Sequence, residues 1–280
     1  MAAIVQRNYK NGLFLMIFRD KPALLRLYNA VRGSNHTNPD DLIINTIEGV
    51  LYLGMKNDVS FIINNELNLY EAQSTWNPNM PLRGLFYFSR VYEGYIAEHQ
   101  LNIYSRKLLR LPAPNYIVFY NGTQEEGDSR ILRLSDSFIK RDGEEACLEC
   151  TATMLNINYG HNQKLMASCR ELYEYSYLIE HIRIGLRSDC SLPEAISQAV
   201  ETCIQNGILR DFLLRHRAEV TTMILEEFDL NKHIEFEKQE SEERFALLLK
   251  QLLDDGRTDD INAIISDSDY RKKLFKEYKL

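Results

Sequence analysis

At 280 residues, 45% hydrophobic and 26% charged, the chain has room for one large domain or two modest ones and is too apolar to be disordered throughout. Thirteen Gly and seven Pro exclude a collagen-like or low-complexity polymer. The formal charge of −7 offers no global basic excess, but it is unevenly spread: residues 1–160 hold 16 basic and 17 acidic side chains, and residues 161–280 hold 17 and 23. A polyanionic partner therefore has to meet the N-terminal part.

In chain order, Leu13, Ile17, Leu24, Leu25, Tyr28 and Val31 recur at helical spacing around Pro22, predicting a helical pair or a kinked helix over residues 9–31. A polar loop over 33–41 leads to strand-like runs at Leu42–Ile47, Val59–Ile63 and Leu67–Gln73. Asn64-Asn65 supplies turn residues between the last two. Asn79 and Pro81 mark a helix start, with Leu82, Leu85, Phe86, Tyr92 and Ile96 as its expected buried stripe. Tyr116–Tyr120 before Asn121-Gly122 is a strong strand, and Ile131–Leu134 and Cys147–Ile157 read as two more. From Lys164 to Phe228 the period is helical. Residues 229–244 read as an acidic linker, and Phe245–Leu280 as short amphipathic helices broken near Gly256. The expected domains are thus 1–160, a helical region 161–230 that packs on the core or on a partner subunit, and 231–280. The order of elements gives an α/β or α+β domain with a C-terminal helical extension.

Five cysteines without framework spacing imply reduced thiols, and no run nears the ~18 apolar residues of a membrane span, so the chain reads as soluble and cytoplasmic. Cys147 and Cys150 have zinc-knuckle spacing but no second pair to complete a site.

The chemistry is concentrated between Lys56 and Gln73. A hairpin turning at Asn64-Asn65 sets Asp58 opposite Glu71, and the strand period of two puts Gln73 on the same face. Facing carboxylates repel at roughly 4.5–5.5 Å between Cβ atoms, so they need a proton, a cation or open water between them. A hard divalent ion with oxygen ligands suits that geometry. The plainer alternative is two solvated acids at the rim of a sheet.

The run Asp58…Glu71-Ala72-Gln73 resembles the acidic core of the PD-(D/E)XK nucleases, in the variant where Gln replaces the usual Lys. More specifically, Met55–Phe61, Leu69–Thr75, Asn77–Arg83, Leu111–Pro114, Phe119–Gly122, Cys203–Leu209 and Ala218–Val220 look like the recombination-promoting nuclease family, a group also labelled nuclease-family transposases. The resemblance spans most of residues 8–230. It implies an α/β fold with a restriction-endonuclease-like core, a mixed sheet flanked by helices, and a Mg²⁺- or Mn²⁺-dependent endonuclease acting in DNA recombination or mobile-element cleavage. Asp58 and Glu71 become the metal-binding carboxylates, the Ala72 carbonyl a third ligand, and Gln73 the residue that orients the attacking water. An acid from the first helix is usual in that superfamily, whereas this chain has Asn11; Glu48 is the substitute candidate.

Double-stranded DNA with little sequence preference is the expected partner. Lys56, Asn77, Asn79 and Arg83 are the candidate phosphate contacts, within a stretch that also carries Arg90, Arg106, Lys107 and Arg110. The alternative for Arg83 is a surface arginine paired with an acid. The apolar stripe Ile204, Ile208, Phe212, Val220, Ile224 suggests a bundle seam or a homodimer through the helical half. The uncharged Gln73 and Asn11 keep open a second reading, a nuclease-fold protein that binds DNA or a partner without cutting.

Overall fold

The computed structural model describes residues 12–44, 58–139 and 146–278. Its elements are α1 (Gly12–Phe18), α2 (Lys21–Arg32), β1 (Ile43–Ile44), β2 (Asp58–Ile63), β3 (Glu66–Gln73), α3 (Met80–Glu98), β4 (Ala113–Tyr120), β5 (Ser129–Arg133), β6 (Thr151–Asn156), α4 (Gln163–Ser168), α5 (Arg170–Arg187), α6 (Leu192–Gln205), α7 (Arg210–Asp254), α8 (Thr258–Ser266) and α9 (Ser268–Glu277). The anticipated kink at Pro22 is a break between two helices. Asp20 caps α2 by accepting from the Ala23 amide at 3.1 Å, and Pro22 takes the first turn, where its missing N–H costs nothing.

Asn64 and Asn65 adopt φ of 50° and 60°, the two left-handed residues that a tight hairpin turn demands. The register follows from that turn, with Asp58 opposite Glu71, Ser60 opposite Leu69 and Ile62 opposite Leu67. The sheet is mixed and six-stranded, in the order β1-β2-β3-β4-β6-β5. Strands β3, β4 and β6 run parallel, and the remaining pairs are antiparallel. Helix α3 is the crossover from β3 to β4.

Alternation along the strands sorts side chains onto two buried faces. Tyr70, Phe61 and Phe119 form one face, where Phe14 of α1 meets Phe119 at 5.3 Å between ring centroids and Tyr175 of α5 at 5.7 Å. Leu67, Leu69, Tyr116, Val118, Tyr120 and Met154 form the other and receive α3 through Met80, Tyr87, Phe88 and Val91.

The buried stripe of α3 is therefore not the predicted one, since Leu82 and Phe86 are exposed. The reason is Gly84. A Cβ there would lie 2.6 Å from the Tyr116 ring, so the helix presents its glycine to that ring and turns its larger neighbours outward.

The chain divides into two compact units, Met1–Leu225 and Glu226–Leu280. The boundary expected near 160 falls inside the first unit, because α5 packs into the sheet's core: Tyr175 meets Phe14, which meets Phe119 of β4, and the Asn121 amide donates to the Tyr175 hydroxyl at 2.5 Å. Val220 and Ile224 of the expected seam are buried in the chain itself. Residues 229–244 are helical, part of α7, and not an irregular linker. The second unit has its own small core of Leu248, Leu252, Ile264 and Leu274, and Gly256 breaks the helices at φ 70°. Among the described residues no helix is long and apolar enough to cross a membrane.

Candidate functional site

Glu71 sits near the C-terminal end of β3, on the face covered by α3, and is only 2% exposed. A carboxylate so placed needs its lone pairs filled, because an unpaired buried charge is costly. Three donors fill them. The Tyr116 hydroxyl donates to Oε2 at 2.6 Å, Gln73 Nε2 donates to Oε1 at 2.9 Å, and Arg83 Nη2 lies 2.6 Å from the same Oε1. Each donor comes from a different structural cause. Gln73 is two residues along the strand, Tyr116 arrives through the parallel pairing of β3 with β4, and Arg83 stands on the first turn of α3.

Asp58 joins this group by register, directly across the ladder from Glu71 and on the same face. Ser60, two residues on, shares that face, and its buried hydroxyl has no hydrogen-bond partner among the described residues. Ala72 lies in the ladder opposite Phe119, with its methyl on the other face. Glu48, Lys56 and Asn11 lie outside the described residues, as does the side chain of Asp58.

The phosphate contacts expected from sequence divide. Arg83 is committed to Glu71 and reaches Met80 Sδ at 3.7 Å. It is thus an acid-paired arginine, but its partner is the acid at the centre of the site. Asn77 accepts from the Asn79 amide at 2.9 Å, closing the turn into α3. Asn79 stands at the helix cap without a side-chain capping bond. Beside them, the Arg130 guanidinium stacks 4.9 Å from the Trp76 ring and pairs with Glu126. Arg106, Lys107 and Arg110 follow the far end of α3. Nineteen helical residues separate the two ends by about 28 Å.

Tyr116 was missed at the sequence level. Nothing local marks it, since it sits in an apolar strand, and only the β3–β4 pairing brings it to Glu71. Other features carry no comparable chemistry. Cys147 and Cys150 precede β6 instead of lying in it, and burial pushes the thiols of Cys169 and Cys203 up to about 12, where they stay protonated. Tyr173 and Tyr177 pack with Tyr159 beside a cleft of about 550 Å³ that shares no lining residue with the Glu71 group.

As a donor set, the group around Glu71 offers hard carboxylate, amide and phenol oxygens, which suits Mg²⁺ or Mn²⁺. A carboxylate has about four acceptor positions, and three donors engage Glu71. Among the described residues, Arg83 and Gln73 fill Oε1 and one position on Oε2 remains beside Tyr116. Among the described residues, no three His, Cys, Asp or Glu side chains gather at one point.

Comparisons with protein-family models, with curated proteins and with solved structures find no match to this chain.

Proposed function

We propose that this chain is a metal-dependent DNA endonuclease with a PD-(D/E)XK core, similar to the recombination-promoting nucleases. The observation that carries the reading is the Asp58–Glu71 pairing on a buried face that also holds Gln73, Arg83 and Tyr116. Acids with only a structural duty are seldom set directly opposite one another, because like charges there destabilise a ladder.

In this reading Asp58 and Glu71 hold Mg²⁺ or Mn²⁺, with the Ala72 carbonyl as a further ligand. The ion, when bound, supplies Lewis-acid charge to a phosphoryl oxygen and acidity to a water. Gln73 keeps its amide nitrogen on Glu71 and turns its oxygen to a water, orienting it for in-line attack. Being uncharged, Gln73 leaves the stabilisation of developing negative charge to other groups. Arg83 is the protein's own candidate for that duty. It neutralises Glu71 in the resting site, and in this reading it exchanges that pairing for a phosphate. Tyr116 holds the second carboxylate oxygen throughout and fixes the plane of Glu71.

A second reading rests on the same hydrogen bonds. Arg83, Gln73 and Tyr116 satisfy Glu71 without an ion, which suits a nuclease fold that binds DNA and does not cut. Plasmid nicking with Mg²⁺ and Mn²⁺, run beside calorimetric titration of each ion, separates the two. The endonuclease reading expects nicking and ion binding that both vanish in Asp58→Asn and in Glu71→Gln. Ion binding without nicking, or nicking untouched by both substitutions, sinks it. A homodimer through the helical half remains part of the proposal, checked by sedimentation equilibrium.

A further inference from the structure

The loop between α3 and β4 has an unusual surface. From His99 to Gln124 there is no Asp or Glu, in a chain whose net charge is −7, while Arg106, Lys107 and Arg110 all fall within it. All three are exposed, and none forms an ion pair among the described residues. Around them the loop displays Tyr104 at 90% exposure, Leu108 at 80% and Ile103 at 60%. Large apolar groups crowded onto one solvent-facing loop are the kind of surface that marks a contact site.

The loop is also internally braced. The Tyr92 hydroxyl donates to the Pro112 carbonyl at 2.7 Å, the Leu101 amide to Ile96 at 2.9 Å, and the Ser105 amide to Asn102 at 3.0 Å. Asn102 and Ser105 side chains accept from the Tyr104 and Lys107 amides. The backbone that carries the exposed groups is therefore held in place, which lowers the ordering cost of binding.

We propose that this loop is a second DNA contact, in which Arg106, Lys107 and Arg110 bind backbone phosphates while Tyr104, flanked by Ile103 and Leu108, packs on sugar or base faces. The inference rests on the DNA reading above and adds a surface that reading does not use. The spacing suits it. The loop enters β4 opposite Glu66, whereas Glu71 and Gln73 lie toward the other end of β3. Seven residues of strand are about 23 Å. That is about seven base pairs at 3.4 Å each, so one duplex of modest length reaches both ends.

The test is fluorescence anisotropy with a duplex of about 24 base pairs over a salt series. It is run on the full chain without divalent ions and compared with an Arg106→Ala/Lys107→Ala/Arg110→Ala variant. These side chains are exposed, so folding is unaffected. Three lost phosphate contacts should weaken binding at least about tenfold at low salt and reduce the log–log salt slope by about 2.7. Tyr104→Ala should weaken binding several-fold and leave the slope alone. Equal affinity and slope in the triple variant overturn the proposal. If that variant also nicks plasmid normally, the endonuclease reading survives while this one falls. A wild-type chain that neither binds nor nicks DNA ends both. Loss of sedimentation with phosphatidylserine vesicles in the variant, with DNA binding intact, reassigns the surface to a membrane and overturns the proposal equally.

Discussion

Two glutamates on one strand are held by the same chemistry on opposite faces of the sheet. Glu66, at the start of β3, accepts from the Tyr28 hydroxyl at 3.0 Å and pairs with Arg32, which ties α2 to the sheet. Glu71, near its end, accepts from Tyr116 and pairs with Arg83 of α3. The differences lie elsewhere. Glu66 is 22% exposed along its side chain and faces Ile63 across the ladder, whereas Glu71 is 2% exposed and faces Asp58. A tyrosine–arginine clamp is therefore a general way to seat an acid at a helix–sheet junction and does not identify a site. The facing second acid, Gln73 and near-complete burial set Glu71 apart.

The sharpest way to break that distinction is to neutralise each acid in turn. Glu71→Gln is expected to abolish Mg²⁺-dependent plasmid nicking, and Glu66→Gln to leave it near wild type. Equal loss in both would make Glu71 one more structural anchor.

Removing the arginines should separate the acids by stability. Arg83→Ala strands a buried carboxylate and is expected to cost about 3 kcal/mol by urea denaturation. Arg32→Ala leaves Glu66 reachable by water and should cost about 1 kcal/mol or less. The phenols follow with smaller effects. Tyr116→Phe loses a buried hydrogen bond to a charged group, about 2 kcal/mol, against about 1 kcal/mol for Tyr28→Phe. Gly84→Ala probes the same clamp from the helix side. Its methyl must displace the Tyr116 ring, an overpacking cost of about 1–3 kcal/mol, and it should lower nicking together with stability.

The weakest expected effect is a pH dependence on the Glu66 side. Burial, with the neighbouring Glu66 carboxylate, raises the Tyr28 phenol above its ordinary 10.0. Above about pH 10 the unfolded chain releases that proton while the folded chain retains it, so stability falls as pH rises. Tyr28→Phe should flatten this alkaline decline in the denaturation midpoint, and an unchanged slope would remove Tyr28 from the account.

Much of this was legible before any coordinates. The Asn64-Asn65 turn fixed the hairpin register because its two left-handed residues leave one pairing, and the strand period then set Asp58, Glu71 and Gln73 on a common face. The order of periodicities narrows the class to α/β or α+β, and the parallel pairing of β3, β4 and β6 decides between them. What escaped was whatever depends on contacts between elements distant in sequence. The α3 stripe was misplaced because Gly84 carries no hydrophobicity, yet it is the residue that meets Tyr116. The charge of the stretch after 228 suggests a linker, but its Glu and Lys residues are good helix formers and α7 runs through it.

The amino-acid order by itself determined the hairpin, its turn and the pairing of two acids, because those depend on backbone sterics and alternation over a few residues. Only the tertiary structure decided that Tyr116 and Arg83 hold Glu71, and that the basic loop stands at the other end of α3. Parallel strand pairing and helix docking join residues that no local rule relates, and there burial decides which donors a carboxylate finds.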